Sequence, residues 1–193
     1  MGQYYMPILG DKLGSNCKVF DRSVDGEYTL AKLMEHSWWL NTFVNAFSQN
    51  LFKHKKRVIW CGDYATELGD FSFNLDSSVY VPNYYEIWGE TVKLYSVKSS
   101  DFTLDNKFLL NHDTKRFIDL NEYKANSTDS NGWCIHPLPL LTAVGNGRGF
   151  GDFHENGIGF EHVGIWAWHL LSISNSVPRN FKKFNPTFKE MLG

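Results

Sequence analysis

Read for hydrophobic and polar positions, the chain divides into short apolar runs and one longer periodic segment. Leu30, Leu33, Leu40, Val44, Phe47 and Leu51 recur at spacings of three, four and seven, the mark of a helix with one buried face. The spacing predicts a helix over about 29–51, with Thr29 as its N-cap. Ser37 and Asn41 fall on or beside the apolar stripe, one turn apart and flanked by His36 and Trp38. Such a pair is either satisfied by backbone and water or looks into a ligand pocket.

The shorter runs read as strands. Residues 3–9 (QYYMPIL) and 17–20 (CKVF) are separated by glycine turns, and Val58-Ile59-Trp60-Cys61 is a continuous apolar run of the kind buried in a sheet. Residues 91–97 alternate in part, and 107–120 form a hairpin with its turn at Asn111-His112-Asp113-Thr114. Residues 126–132 are a polar loop. Pro137 and Pro139 share parity, so residues 133–143 are expected as an edge strand that loses its ladder bonds on one side alone. Residues 163–173 are apolar on both parities, as in a central strand covered on both faces. The tail after Pro178 is expected to end in a short helix. The sum is an α+β fold, one domain over 1–193, with a mixed or largely antiparallel sheet packed on one long helix. The weakly patterned segment 67–101 reads as an insertion covering the site.

Composition narrows the classes. Hydrophobic content of 42% and charged content of 21% over 193 residues describe an ordinary globular domain, and the 16% aromatic content is high. A net charge of −2 gives no argument for a nucleic-acid partner. No run approaches the roughly 18 apolar residues of a membrane span, and residues 1–10 lack the features of a secretory signal. Cys17, Cys61 and Cys134 form no metal-spaced pair and leave at least one thiol unpaired, which points to a reduced, cytoplasmic setting. The basic run Lys53-His54-Lys55-Lys56-Arg57 is expected as a solvated turn.

The chemistry concentrates between Trp133 and Phe153. Gly145, Gly147, Gly149 and Gly151 alternate with Asn146, Arg148, Phe150 and Asp152. Bare amides with one guanidinium can cradle an anion. The loop is neither a P-loop nor a dinucleotide fingerprint, since no Gly-Lys-Ser/Thr follows and Phe150 takes the place of the third glycine. Expected ligand-binding residues are Gly145, Asn146, Gly147, Arg148 and Gly149 with His136. Asp63, directly after a buried strand, Asp152 and His36 are the candidate catalytic groups, provided the strands bring them to one cleft. His136, Asp152, His154, Glu155, Glu161 and His162 are allowed metal ligands without a standard spacing, and no metal or cofactor is assigned. Cys61 or Cys134 beside a histidine would be a nucleophile, but such cysteines are more often small core residues.

Several segments in order carry a resemblance. Met1-Gly2-Gln3-Tyr4-Tyr5, Leu33-Met34-Glu35-His36-Ser37, Val58–Ala65, Asn111–Lys115, His136–Thr142 with the glycine loop, and Val163–Ala167 together resemble a family of uncharacterised bacterial and phage proteins that begin with MGQYY. In that family the residues after the Arg148 position are a run of glycines, which Phe150 interrupts here. The resemblance implies a prokaryotic or phage protein and names no activity. The expected function is binding of a small anionic or nucleotide-like ligand at the glycine-rich loop, with or without hydrolysis or transfer, so whether the protein is an enzyme stays open. The alternative is a non-enzymatic phage or plasmid protein acting on a host protein partner, through an exposed patch such as Tyr84, Tyr85 and Trp88.

Overall fold

The computed structural model describes residues 4–12, 17–28, 32–62, 93–145 and 153–189. In chain order the strands are β1 (Tyr5–Gly10), β2 (Lys18–Val24), β3 (Glu27–Tyr28), β4 (Lys56–Gly62), β5 (Leu94–Val97), β6 (Phe108–Asn111), β7 (Arg116–Asp119), β8 (Ala143–Val144), β9 (Leu170–Ser174) and β10 (Lys182–Lys183). The α-helices among these residues are α1 (Thr42–Gln49), α2 (Leu120–Ser127) and α3 (Pro137–Thr142). The strands join one sheet in the order β10-β7-β6-β9-β4-β1-β2-β3, with β5 added to β2 and β8 to β4. The pairings β10–β7, β2–β5 and β4–β8 are parallel and the rest antiparallel, so the sheet is mixed, as expected.

Strand periodicity divides the apolar residues between two cores. Tyr5, Leu9, Phe20, Val58 and Trp60 point into the larger one, under α1 and α3. Met6, Ile8, Val19, Ile59 and Cys61 point the other way, where Ala167 and Trp168 cover them. The run 163–173 is apolar on both parities for a related reason. Trp166 enters the first core and Trp168 the second, while β9 itself begins at Leu170. Gly10 lies close against the second core, since a Cβ there would meet Trp168 Cη2 at 2.7 Å.

The long helix is corrected. Residues 42–49 alone are α-helical, 32–41 form turns and a bridge, and 29–31 lie outside the described residues. Asn41 starts α1 by accepting the Val44 amide at 3.0 Å, as an N-cap does. Upstream, backbone groups are spent on another segment: Trp39 N donates to Cys134 O at 2.8 Å and His136 N to Ser37 O at 2.7 Å. Leu40, expected on the buried stripe, is 76% exposed.

The edge strand over 133–143 is also corrected. It is the helix α3, capped by His136, followed by the two-residue β8. Both prolines lie in the first turn, where backbone N–H groups have no intrahelical partner, so their missing donors disturb nothing. The polar loop at 126–132 loses its first two residues to α2, which the pattern did not indicate. The tail places Lys182–Lys183 as a strand on β7 rather than a helix; residues 190–193 lie outside the described set. The hairpin at 107–120 is found as β6 and β7, with Leu110 opposite Phe117. Of the segment 67–101, residues 94–97 join the sheet as β5 and those before 93 lie outside the described residues.

Candidate functional site

The basic run at 53–57 leads from α1 into β4, and strand parity separates its last two side chains. Lys56 pairs with Leu171, whose side chain enters the larger core, and Arg57 pairs with Leu170 on the opposite face. Arg57 is held by structure: Nη1 donates to Trp168 O at 2.9 Å and to Asp113 Oδ2 at 3.2 Å, and Nε to Lys12 O at 3.2 Å. Asp113 Oδ2 also accepts the Leu170 amide at 3.0 Å. The other four residues of the run line two clefts.

The first cleft, of about 630 Å³, opens beside α1 on the face of the larger core. Leu9, Phe20, Ala46 and Val97 give it an apolar floor, and Gln49 and Asn50 add amide groups from the end of α1. Among the described residues its rim carries Lys18, His54, Lys56 and Lys98 against one carboxylate, Asp11. Lys18 Nζ lies 5.1 Å from the Tyr95 ring centroid, and none of the three lysines forms a salt bridge among the described residues. Three lysines against one aspartate give the described lining an excess of two positive charges, on a chain whose net charge is −2.

The second cleft, of about 490 Å³, opens on the opposite face of the sheet. Leu110 and Ser172 are register partners whose neighbours Leu109 and Leu171 point into the larger core, which fixes the face. His112 continues that parity, and Lys53, Lys55 and Lys115 join a lining that contains no carboxylate among the described residues. His112 Nε2 lies 2.8 Å from Ser172 Oγ. Burial, and then the charges of Lys55 and Lys115, push the His112 pKa down to about 4, so its ring is neutral at pH 7.

The expected site residues divide as follows. His136 is 1% exposed and serves as the N-cap of α3; Nδ1 accepts the Leu138 amide at 3.1 Å, and Nε2 is 3.5 Å from Ser48 Oγ. Burial pushes its pKa down to about 3. His36 Nδ1 accepts the Lys32 amide at 3.3 Å, its ring packs 5.8 Å from Trp38, and burial lowers its pKa. Neither histidine lines either cleft. Of the proposed polar pair, Ser37 is buried against the Lys32 carbonyl at 3.5 Å and Asn41 caps α1. Gly145 has φ 91° and ends a described segment; β8 runs parallel to β4 with Val144 opposite Cys61, so Gly62 and Gly145 lie at the same end of adjacent strands. Asp63, Asn146, Gly147, Arg148, Gly149 and Asp152 lie outside the described residues, as do Tyr84, Tyr85 and Trp88.

No disulfide joins Cys17, Cys61 and Cys134, and Cys61 and Cys134 are buried. Burial pushes the Cys134 thiol up to about 11, the opposite of an activated nucleophile. Among the described residues no three His, Cys, Asp or Glu side chains form a group that could hold a metal ion, and no helix is long and apolar enough to cross a membrane. Sequence reasoning missed both clefts. The basic run was visible, but its partners Lys18, Lys98, Lys115 and Ser172 are distant in sequence and are gathered by strand pairing. Comparisons with protein-family models, with curated proteins and with solved structures find no match.

Proposed function

We propose that the protein binds a small anionic ligand with an apolar or aromatic portion, nucleotide-like in character, in the cleft beside α1. The observation that carries this reading is the convergence of Lys18, Lys56 and Lys98 over the floor of Leu9, Phe20, Ala46 and Val97. Ammonium groups supply donors and charge but no acceptor, so they suit phosphate or carboxylate oxygens. An apolar floor with a few polar groups at the rim, in a volume of about 630 Å³, is the usual form of a small-molecule site. The positive lining on a net-negative chain favours a small anion over an extended polyanion, which the remaining surface charge would repel.

The supported activity is binding. Three cysteines without a disulfide accord with a reduced, cytoplasmic setting, and the resemblance to the MGQYY proteins, with the prokaryotic or phage origin it implies, belongs to the same proposal. Calorimetric titration with adenosine mono- and triphosphate tests it. Binding is expected to weaken with added salt, and Lys56→Glu is expected to reduce affinity by about tenfold or more, the equivalent of one lost charge-assisted contact. Absence of binding at millimolar nucleotide, or unchanged affinity in Lys56→Glu, would refute the reading.

A further inference from the structure

The cleft on the opposite face has a different chemistry, and nothing in the α1 cleft accounts for it. Lys53, Lys55 and Lys115 line a common space with no carboxylate among the described residues of its lining. Three like charges around one cleft repel one another, and that cost is relieved by an anion. Two of these lysines also adopt left-handed backbone, φ 61° at Lys53 and φ 55° at Lys115. That conformation is uncommon outside glycine and costs of order 1 kcal/mol or more at each residue.

The interior carries hydrogen-bonding groups matched to the same ligand. Ser172 and Ser174 come from β9, and Ser172 Oγ sits 2.8 Å from His112 Nε2. Phe181 forms an apolar wall: its ring stands edge-on to His112 at 5.4 Å, and Lys115 Nζ lies 5.7 Å from its centroid. The volume of about 490 Å³ exceeds what a bare phosphate fills and leaves room for an organic group against Phe181 and Leu110.

We propose that this cleft is a second, separate binding site that takes a phosphomonoester, its phosphoryl oxygens held by Lys53, Lys55, Lys115 and the Ser172–His112 pair and its organic group against Phe181. A dianion seated among these groups offsets the repulsion that Lys55 and Lys115 exert on a protonated His112, so ligand binding raises the histidine's pKa. The other charge facing that ring is Asp113, which favours protonation in both states; its Oδ2 is committed to Leu170 N and Arg57.

Nuclear magnetic resonance titration of the full chain with phenyl phosphate, with inorganic phosphate as comparator, tests the proposal. The expected result is saturable shifts of the His112 ring resonances, an upward move of the His112 titration, and tighter binding of phenyl phosphate than of inorganic phosphate. Lys55→Gln and Lys115→Gln should each weaken binding by about tenfold, whereas Lys56→Glu should leave it unchanged. That last arm separates failure here from failure of the α1 cleft. No His112 shift at millimolar phenyl phosphate, equal affinity for the two ligands, or undiminished binding in the Lys55→Gln/Lys115→Gln double variant would overturn it.

Discussion

Lys55 and Lys56 are adjacent in the chain yet line clefts on opposite faces of the sheet. Lys56 is the first residue of β4 and shares a face with Leu171, whereas Lys55 precedes the strand. Charge reversal at the two positions should therefore have separable effects. Lys56→Glu is expected to impair binding in the α1 cleft alone and Lys55→Glu binding in the cleft at His112 alone. Both variants should keep their stability within about 0.5 kcal/mol, as surface substitutions usually do. Calorimetry and thermal unfolding of the pair check this, and loss of both activities in either variant would mean the clefts are not independent.

The start of α1 gives a second prediction. With Asn41 as N-cap, Asn41→Ala should cost about 1 kcal/mol, read from urea unfolding. Leu40→Ser should change stability by less than about 0.5 kcal/mol, because Leu40 is 76% exposed. A large loss on Leu40→Ser would restore the long helix with Leu40 in its buried stripe.

These outcomes bear on what the chain made legible. The strands β1, β4 and the β6–β7 hairpin were readable because a short apolar run between turn residues has few other solutions. The helical spacing from Leu30 to Leu51 misled because Leu33 and Leu51 do reach the core while the intervening backbone pairs with residues 134–136. No periodicity within a segment reveals that its carbonyls are claimed by another segment. Pro137 and Pro139 were read for the wrong element, since a first helical turn tolerates missing donors as well as a sheet edge does. The clefts were illegible for a topological reason: Lys56 and Lys98 meet through β5, added to β2 beyond β1.

His136 makes stability depend on acid pH. Its folded-state pKa is about 3 against an ordinary 6.5, so as pH falls the unfolded chain binds the proton first. Stability is full above about pH 6.5 and declines between 6.5 and 3, by at most about 1.4 kcal/mol per pH unit for this one group. His136→Asn keeps a cap acceptor but cannot protonate; it should lower stability at neutral pH by about 1–2 kcal/mol and flatten the acid decline. Urea midpoints across this range, compared between the two proteins, measure it. Parallel declines would show that His136 is not a source of the acid sensitivity.

Gly159 tests the packing of the C-terminal segment. It has φ 91°, and a Cβ there would fall on the Thr187 carbonyl oxygen, beside the Ile158–Lys189 bridge. Gly159→Ala should cost about 2 kcal/mol through backbone strain and displacement of Phe188 from the core. An unchanged melting temperature would mean that residues 187–189 do not pack there.

The central claim is that the cleft beside α1 binds an anionic, nucleotide-like ligand. Backbone amide spectra recorded during titration with adenosine monophosphate locate the ligand directly. The account predicts saturable shifts at Gly10, Lys18, Ala46, Asn50 and Val97, which surround that cleft, and their loss in Lys56→Glu. Shifts confined to Gly145 and its neighbours, or no shifts at millimolar nucleotide, would contradict it.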